Sequence, residues 1–200
     1  MSAGERKRVM RAHVQRLRDA LPADEADERS AEIVRRVRSL PAYGRSRSRL
    51  LFASFRSEVA TDALLRQTLG IGARLVLPRV VGFEEPLALH EVRDIERDLA
   101  PGAFGIREPI PERCPELSVE AVDFILVPGL AFDRAGGRLG WGGGFFDWVL
   151  SHRHDLVDGV AAVAVAFSLQ IMDEVPMQTW DVHVPMTVTE DGVIRADRSR

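Results

Sequence analysis

The sequence predicts an α/β protein in which helices cover both faces of one sheet. Two observations support this prediction. Stretches with apolar residues at helical spacing alternate with short apolar runs along the chain, and the runs at 123–132 and 159–167 are apolar almost throughout. A strand buried on both faces has this composition, which is typical of a parallel sheet covered by helices.

The first part of the chain predicts three helices and a strand. Residues 4–20 repeat apolar side chains at helical spacing, and residues 21–40 place acids at their start and arginines at their end, which suits a helix dipole. Residues 49–55 form a buried strand. Thr61 is placed to begin a short helix that stops near Gly70.

The next part of the chain predicts two more strands and an irregular segment. Residues 73–80 form a strand that Pro78 ends, and residues 86–92 alternate like a strand with one exposed face. Residues 93–120 contain four prolines, and we expect a long loop packed near the active-site face.

The last part of the chain supplies the remaining elements. A glycine-rich loop follows the buried strand at 123–132 and leads into a helix over 145–153. The strand at 159–167 comes next. The segment 186–194 predicts a terminal hairpin that turns at Asp191-Gly192.

Composition narrows the class of protein. The 200 residues are 46% hydrophobic and 28% charged, which suits a single domain over 1–200, and a net charge of -3 does not favour nucleic acid as a partner. Cys114 is the one cysteine, so no disulfide framework within the chain can form. Residues 1–18 do not resemble a signal peptide, and no apolar run is long enough to span a bilayer. We expect a cytoplasmic protein without a membrane partner.

Three other features predict no site of their own. The arginine-rich run at 36–49 could contact a polyanion, but solvated charge is the better interpretation because few aromatic residues interleave it. His152 and His154 lack further ligands at zinc-site spacing and fit a solvated helix end. Cys114 fits an incidental thiol.

The loop at 136–147, GGRLGWGGGFFD, is the strongest candidate for a binding site. It contains six glycines and lies between a buried strand and a helix, where α/β sheets bind ligands. Backbone N–H groups of such a turn can surround an anion, and Arg138 adds forked donors. The spacing matches neither the P-loop nor the dinucleotide fingerprint. We therefore predict a phosphate-binding loop of another kind, the alternative being a connection without a ligand.

Asp147 ends this loop and allows two interpretations. A carboxylate beside bound phosphates suggests a magnesium ion that bridges them. An aspartate at the start of a helix also stabilises the helix dipole. Position alone leaves these two interpretations equal.

The segment 127–147, VPGLAFDRAGGRLGWGGGFFD, resembles the signature of the 5-formyltetrahydrofolate cyclo-ligase family, also called methenyltetrahydrofolate synthetase. Further landmarks agree in order: Lys7-x-x-Met10-Arg11, SEVATDALL at 57–65, LVLPRV at 75–80, FGIREP at 104–109 and WDVHVPMTVTEDGVI at 180–194. The resemblance implies a three-layer αβα sandwich related to CoA transferases and sugar-phosphate isomerases. It also implies a monomeric enzyme that uses ATP and Mg²⁺ to convert 5-formyltetrahydrofolate to 5,10-methenyltetrahydrofolate.

The resemblance also implies roles for individual residues. Lys7 and Arg11, spaced i, i+4, would contact the nucleotide phosphates and act in catalysis together with Arg138. Asp147 and Asp181 would hold the magnesium ion. The ATP-binding loop would comprise Arg138, Leu139, Gly140, Trp141, Gly142, Gly143, Gly144, Phe145 and Phe146.

On the substrate side, Glu58 would bind the pterin ring, because a carboxylate accepts hydrogen bonds from paired N–H groups. Trp141, Phe145 and Phe146 would line the same pocket. They depart from the family pattern, which has Tyr-Tyr at the last two positions and Tyr or Arg at the first.

These departures leave three functions open. The first is the family reaction on 5-formyltetrahydrofolate. The second is an ATP-dependent cyclodehydratase that acts on another N-formyl compound or amide. The third is a protein that binds nucleotide or folate without catalysis.

Overall fold

A computed structural model describes residues 2–82, 85–102, 105–158 and 161–197, and an eight-stranded sheet forms its centre. Twelve strands are numbered along the chain: β1 Ser48–Leu50, β2 Arg74–Arg79, β3 Ala88–Val92, β4 Leu99–Pro101, β5 Arg107–Pro109, β6 Glu116–Leu117, β7 Phe124–Val127, β8 Ala131–Phe132, β9 Arg138–Leu139, β10 Ala162–Val165, β11 Met186–Val188 and β12 Val193–Arg195. The sheet order is β12-β11-β10-β7-β1-β2-β3-β6, while β4–β5 and β8–β9 form separate two-stranded sheets.

Seven helices accompany the strands: α1 Ala3–Asp19, α2 Ala23–Ser39, α3 Pro41–Arg45, α4 Asp62–Gly70, α5 Ile95–Asp98, α6 Phe145–His152 and α7 His154–Asp158. Within the described ranges, no helix is both long enough and apolar enough to cross a membrane.

The predicted αβα sandwich is confirmed by the two sides of the sheet. In β7, Phe124 and Leu126 join a core with residues of α2, α3 and α4. Their neighbours Ile125 and Val127 join a second core with α6 and α7. This alternation follows from the period of a strand, in which successive side chains point to opposite faces.

The middle of the sheet is parallel. β11, β10, β7, β1 and β2 run in the same direction, and the antiparallel strands β12, β3 and β6 complete the two sides. The carboxyl ends of the five parallel strands therefore meet at one edge, where ligands bind in such sheets.

Two predicted strands are shorter than expected. Residues 49–55 predict a long strand, but β1 ends at Leu50. The apolar run 123–132 divides into β7 and β8 around Pro128 and Gly129. A side chain at Gly129 would overlap the ring of Phe132, so the chain turns tightly at this point.

The prediction that Pro78 ends a strand is wrong. β2 continues to Arg79, and Pro78 pairs with Leu89 of antiparallel β3. On its other side β2 pairs with β1 only as far as Val76. A proline is tolerated where a strand has a partner on one side only.

The predicted loop at 93–120 is also wrong, because it contains α5, β4, β5 and β6. β6 adds an edge strand to the main sheet through the pairs Leu89–Leu117 and His90–Glu116. Very short strands carry too little periodicity to be recognised in the sequence. Phe104 of this segment lies outside the described residues, as do the first two residues of the predicted strand at 159–167.

The remaining helix and turn predictions are largely confirmed. Thr61 precedes α4 as expected, but its hydroxyl donates to Phe52 O at 2.6 Å instead of capping the helix. β11 and β12 form the predicted terminal hairpin. Arg49 contradicts the solvated interpretation of the run at 36–49, because it is 1% exposed and lies over the ring of Tyr43 at 3.8 Å.

The β8–β9 hairpin supports the glycine loop. The Asp133 carboxylate accepts hydrogen bonds from the backbone N–H groups of Ala135, Gly137 and Val175. α1 covers the hairpin through a third core cluster, which contains Val14, Ala131, Leu139 and Val175. The hairpin, which includes the first residues of the glycine loop, is thus fixed at the sheet edge.

The turn of this hairpin predicts a specific sensitivity at Gly136, whose φ of +86° lies in the left-handed region. A Cβ atom there would lie 2.6 Å from Val184 O. Gly136→Ala should lower the free energy of unfolding by about 2–4 kcal/mol, measured by urea denaturation. Gly44→Ala is the control, because no atom lies within 4 Å of its added Cβ. Equal stabilities of the two variants would contradict the backbone and steric constraint at Gly136.

Candidate functional site

The candidate site lies at the carboxyl edge of the parallel strands. The segment after β1 carries Glu58, and the segment after β7 leads into the glycine loop. α1 packs against the β8–β9 hairpin. Three parts of the chain that are distant in sequence therefore meet at this edge.

An ion pair joins the two ends of the glycine loop. Arg138 Nη2 donates to Asp147 Oδ2 at 2.6 Å, and the Arg138 side chain is only 3% exposed. Asp147 Oδ1 accepts the backbone N–H of Val182 at 3.1 Å. Arg138 Nε is buried and has no acceptor among the described residues. Arg138 thus has one N–H group that the described residues leave unpaired.

The backbone of the loop depends on its glycines. Gly142 has a φ of +114°, and Gly144 has a φ of +68° at the start of α6. Other residues rarely adopt these angles. No side chain caps α6, and an uncapped helix start of this kind has N–H groups that can bind an anion.

Lys7 and Arg11 of α1 both reach this region, as their i, i+4 spacing predicts. Arg11 Nε donates to Gly140 O at 2.9 Å. Lys7 Nζ lies 2.5 Å from Asp181 Oδ2 and 3.0 Å from Gln178 Oε1. Two cations of one helix thus flank the loop, together with Arg138.

Glu58 contacts the other side of the loop. Its Oε1 accepts the indole N–H of Trp141 at 3.3 Å, and its Oε2 accepts the backbone N–H of Phe55 at 3.0 Å. Burial raises the pKa of Glu58 above the usual carboxyl range, although the Phe55 hydrogen bond and the charge of Arg18 act in the opposite direction. The Glu58 carboxylate thus accepts hydrogen bonds where it is largely shielded from solvent.

Arg18 also belongs to this group of side chains, and the sequence analysis missed it. It is 2% exposed, and its guanidinium lies 5.7 Å from the centre of the Trp141 ring. Burial lowers the pKa of Arg18, against the opposing charges of Glu58 and Asp19. Its spacing of seven residues from Arg11 was an available signal, because this spacing places both residues on one face of α1.

A narrow crevice separates Arg18 from the sheet edge. Its walls combine apolar side chains with the polar groups of Arg18, Glu58 and Gln170. Besides Arg18 and Glu58, it is lined by Phe52, Val59, Pro128, Gly129, Val165 and Gln170.

The aromatic residues of the loop separate into two groups. Trp141 is 47% exposed and contacts Glu58 beside the crevice. Phe145 and Phe146 are partly buried against the core on the α6 and α7 side of the sheet. Leu139 is buried beneath α1. Trp141 therefore joins the loop to the crevice, while the two phenylalanines anchor the start of α6.

Asp147 lies near the segment of Asp181, because its carboxylate accepts the N–H of Val182, the residue after Asp181. In the described ranges, no three acidic, histidine or cysteine side chains gather as a metal cage. Asp181 Oδ1 has no hydrogen bond to a described residue, since Lys7 and Gln178 both bind Oδ2. This arrangement fits an ion that takes one or two carboxylates and otherwise phosphate oxygens, as magnesium does.

Two other candidates are unsuited to chemistry. Cys114 is buried, and burial raises the pKa of its thiol, which is the opposite of what a nucleophile needs. His152 is exposed at the end of α6, where its ring packs on Trp148 with centroids 4.2 Å apart.

Comparison with known proteins relates this site to one family. The profile of the 5-formyltetrahydrofolate cyclo-ligase family matches residues 3–190. The 5-formyltetrahydrofolate cyclo-ligase of Mycolicibacterium smegmatis is 36% identical over 137 residues, covering 66% of this chain and 68% of that protein. The enzyme of that name from Escherichia coli K12 is 27% identical over 180 residues, or 90% and 98% of the two chains.

A solved structure agrees in fold as well as in sequence. The NMR structure of Aquifex aeolicus 5,10-methenyltetrahydrofolate synthetase superposes with a TM-score of 0.82 at 34% identity, covering 97% of this chain and 94% of that one. The matched span includes α1, Glu58 and the glycine loop. The chain belongs to the 5-formyltetrahydrofolate cyclo-ligase family.

Proposed function

We propose that residues 1–200 act as one domain that cyclises 5-formyltetrahydrofolate to 5,10-methenyltetrahydrofolate with ATP and Mg²⁺. One observation carries the proposal: consecutive loop residues reach the two halves of the site. Gly140 O accepts from Arg11 among the cations, and Trp141 donates to Glu58 at the crevice. A phosphate on the loop and a ring in the crevice would therefore be neighbours.

The reaction needs such neighbours because a formyl oxygen is a poor leaving group. In the proposed reaction, this oxygen attacks the γ-phosphorus of ATP, and ADP leaves. N10 then attacks the activated formyl carbon and closes the ring, the N10 proton passes to water, and phosphate departs with the former formyl oxygen. The protein contributes mainly alignment and charge neutralisation, as in other phosphoryl transfers.

Residues in different parts of the site would contribute the charge neutralisation and the alignment. Arg138 has a buried N–H without an acceptor and would neutralise charge on the transferred phosphoryl group. Lys7 and Arg11 would bind the nucleotide phosphates from α1. Glu58 would accept hydrogen bonds from the pterin, with Trp141 beside it.

A magnesium ion would lie by Asp147 and Asp181 and neutralise charge on the nucleotide phosphates. Both carboxylates already face cations, Arg138 at 2.6 Å and Lys7 at 2.5 Å. We expect both cations to contact phosphate oxygens while they keep their carboxylate partners.

A second candidate function is supported by the aromatic residues. Trp141 takes the place of a family Tyr or Arg at the crevice, and Phe145-Phe146 takes the place of Tyr-Tyr. A divergent enzyme with these residues would activate another N-formyl compound in the same way. The monomeric state and the cytoplasmic location stay predictions.

The direct test combines purified protein with ATP, Mg²⁺ and 5-formyltetrahydrofolate. We expect the methenyl chromophore to form with one ADP per turnover. No chromophore at high enzyme concentration would contradict the proposal. ATP binding without folate binding, measured by calorimetry, would then favour the second candidate. ADP release with any substrate would exclude a purely binding role.

Arg138→Met should lower kcat roughly 100- to 1,000-fold, because it removes a cation placed for developing phosphate charge. Arg134→Met, in the same hairpin but exposed, is the matched control and should retain activity. Thermal unfolding of both variants checks that they fold. Activity of a folded Arg138→Met variant close to that of the control would contradict the assigned role.

Glu58 predicts a pH dependence of folate binding. The carboxylate form accepts the pterin hydrogen bonds, and burial raises the pKa of Glu58. Folate binding should therefore be strong above this raised pKa and weaken as the pH falls through it. Calorimetry without ATP avoids titration of the nucleotide.

The control for this prediction is Glu58→Gln, which keeps the side-chain shape but has no proton to gain. It should bind more weakly, with affinity that is flat over the same pH range. A parallel pH dependence in the two proteins would show that another group is responsible.

A further inference from the structure

Arg18 is a buried cation with too few partners. It is 2% exposed, and its hydrogen bonds to described residues are two long contacts with one hydroxyl, from Nε at 3.3 Å and Nη2 at 3.2 Å to Ser57 Oγ. An arginine has five N–H donors, and these two contacts use only two of them. The fold alone does not explain this residue.

Two further buried arginines, Arg49 and Arg153, show what a structural arginine looks like in this protein. Arg49, at 1% exposure, donates to Tyr43 O, Ser46 O, Ser46 Oγ and Thr68 Oγ1. Arg153 pairs with Asp155 and donates to two backbone carbonyl groups. Arg18, by contrast, forms no ion pair with a described residue.

Arg18 and Glu58 both line the crevice. A donor group and a carboxylate acceptor therefore stand together there, beside apolar side chains. Glu58 Oε1 accepts one long hydrogen bond, from Trp141 Nε1 at 3.3 Å, and the Trp141 ring is half-exposed. A ligand N–H can replace this indole N–H.

We propose that Arg18 and Glu58 together recognise a flat ring with a carbonyl beside an N–H, and that Arg18 thereby determines specificity. Arg18 donates to the carbonyl oxygen, and Glu58 accepts from the N–H. The inference rests on the proposed function, because the pterin of 5-formyltetrahydrofolate has this pair at its 4-oxo and N3–H positions. A ring with an amino group at position 4 would present a donor to the Arg18 donors and be disfavoured.

The test compares two ligands that differ at this position, 5-formyltetrahydrofolate and its 4-amino-4-deoxy counterpart. Calorimetry without ATP gives the dissociation constants for wild type and Arg18→Met, which keeps the length of the side chain. The wild type should prefer the 4-oxo ligand. In Arg18→Met this ligand should bind roughly 10- to 100-fold more weakly, and the 4-amino ligand as well as before or better.

Arg16→Met is the matched control, since Arg16 is an exposed α1 residue whose Nε bonds to the carbonyl of Ala12 in its own helix. It should leave both constants unchanged. A merely structural role of Arg18 would weaken both ligands alike and leave their ratio constant.

The outcomes distinguish a failure of the proposed function from a failure of the role assigned to Arg18. If the wild type binds neither ligand, the proposed function fails and this inference fails with it. If the wild type binds the 4-oxo ligand but the ratio is the same in folded Arg18→Met, only the role of Arg18 is overturned. Should Arg18→Met not fold, the wild-type ratio decides, because equal affinity for both ligands contradicts a donor at this position.

Discussion

The ion pair between Arg138 and Asp147 is the contact on which the rest of the site depends. It closes the glycine loop into a fixed turn, and the N–H of Val182 holds the same carboxylate from the chain segment that follows Asp181. Breaking a buried pair by removing one partner leaves an uncompensated charge, which is strongly unfavourable. The loop therefore holds a single path, with Gly140 under Arg11 and Trp141 beside Glu58.

Helix α1 gives the site its second support and its charge. Lys7, Arg11 and Arg18 lie along one side of the helix, and Val14 between them packs into the core over the β8–β9 hairpin. Packing of Val14 and the partly buried Met10 thus aligns cations for two different purposes. The first two face the loop that we assign to phosphate, and the third lines the crevice that we assign to the pterin.

Much of the fold could be predicted from the sequence, because the main strands and helices carry clear periodicity. The exceptions depend on partners distant in the chain. Pro78 lies inside β2 because the pairing of β1 with β2 ends before it, which leaves that side of the strand without a partner. β6 forms a strand because it pairs with β3. In the site, the motif located Arg138, Glu58 and both aspartates. The motif did not include Arg18, for which the spacing of seven residues from Arg11 on α1 was the available signal.

In the mechanism that we propose, the loop and the crevice hold the formyl oxygen against the γ-phosphate, so that this oxygen leaves as part of phosphate. The most direct measurement follows that oxygen. 5-Formyltetrahydrofolate labelled with ¹⁸O in the formyl group is converted with ATP, and the released phosphate is analysed by mass spectrometry. The account predicts one ¹⁸O atom in each phosphate formed. Methenyl product accompanied by unlabelled phosphate would contradict it.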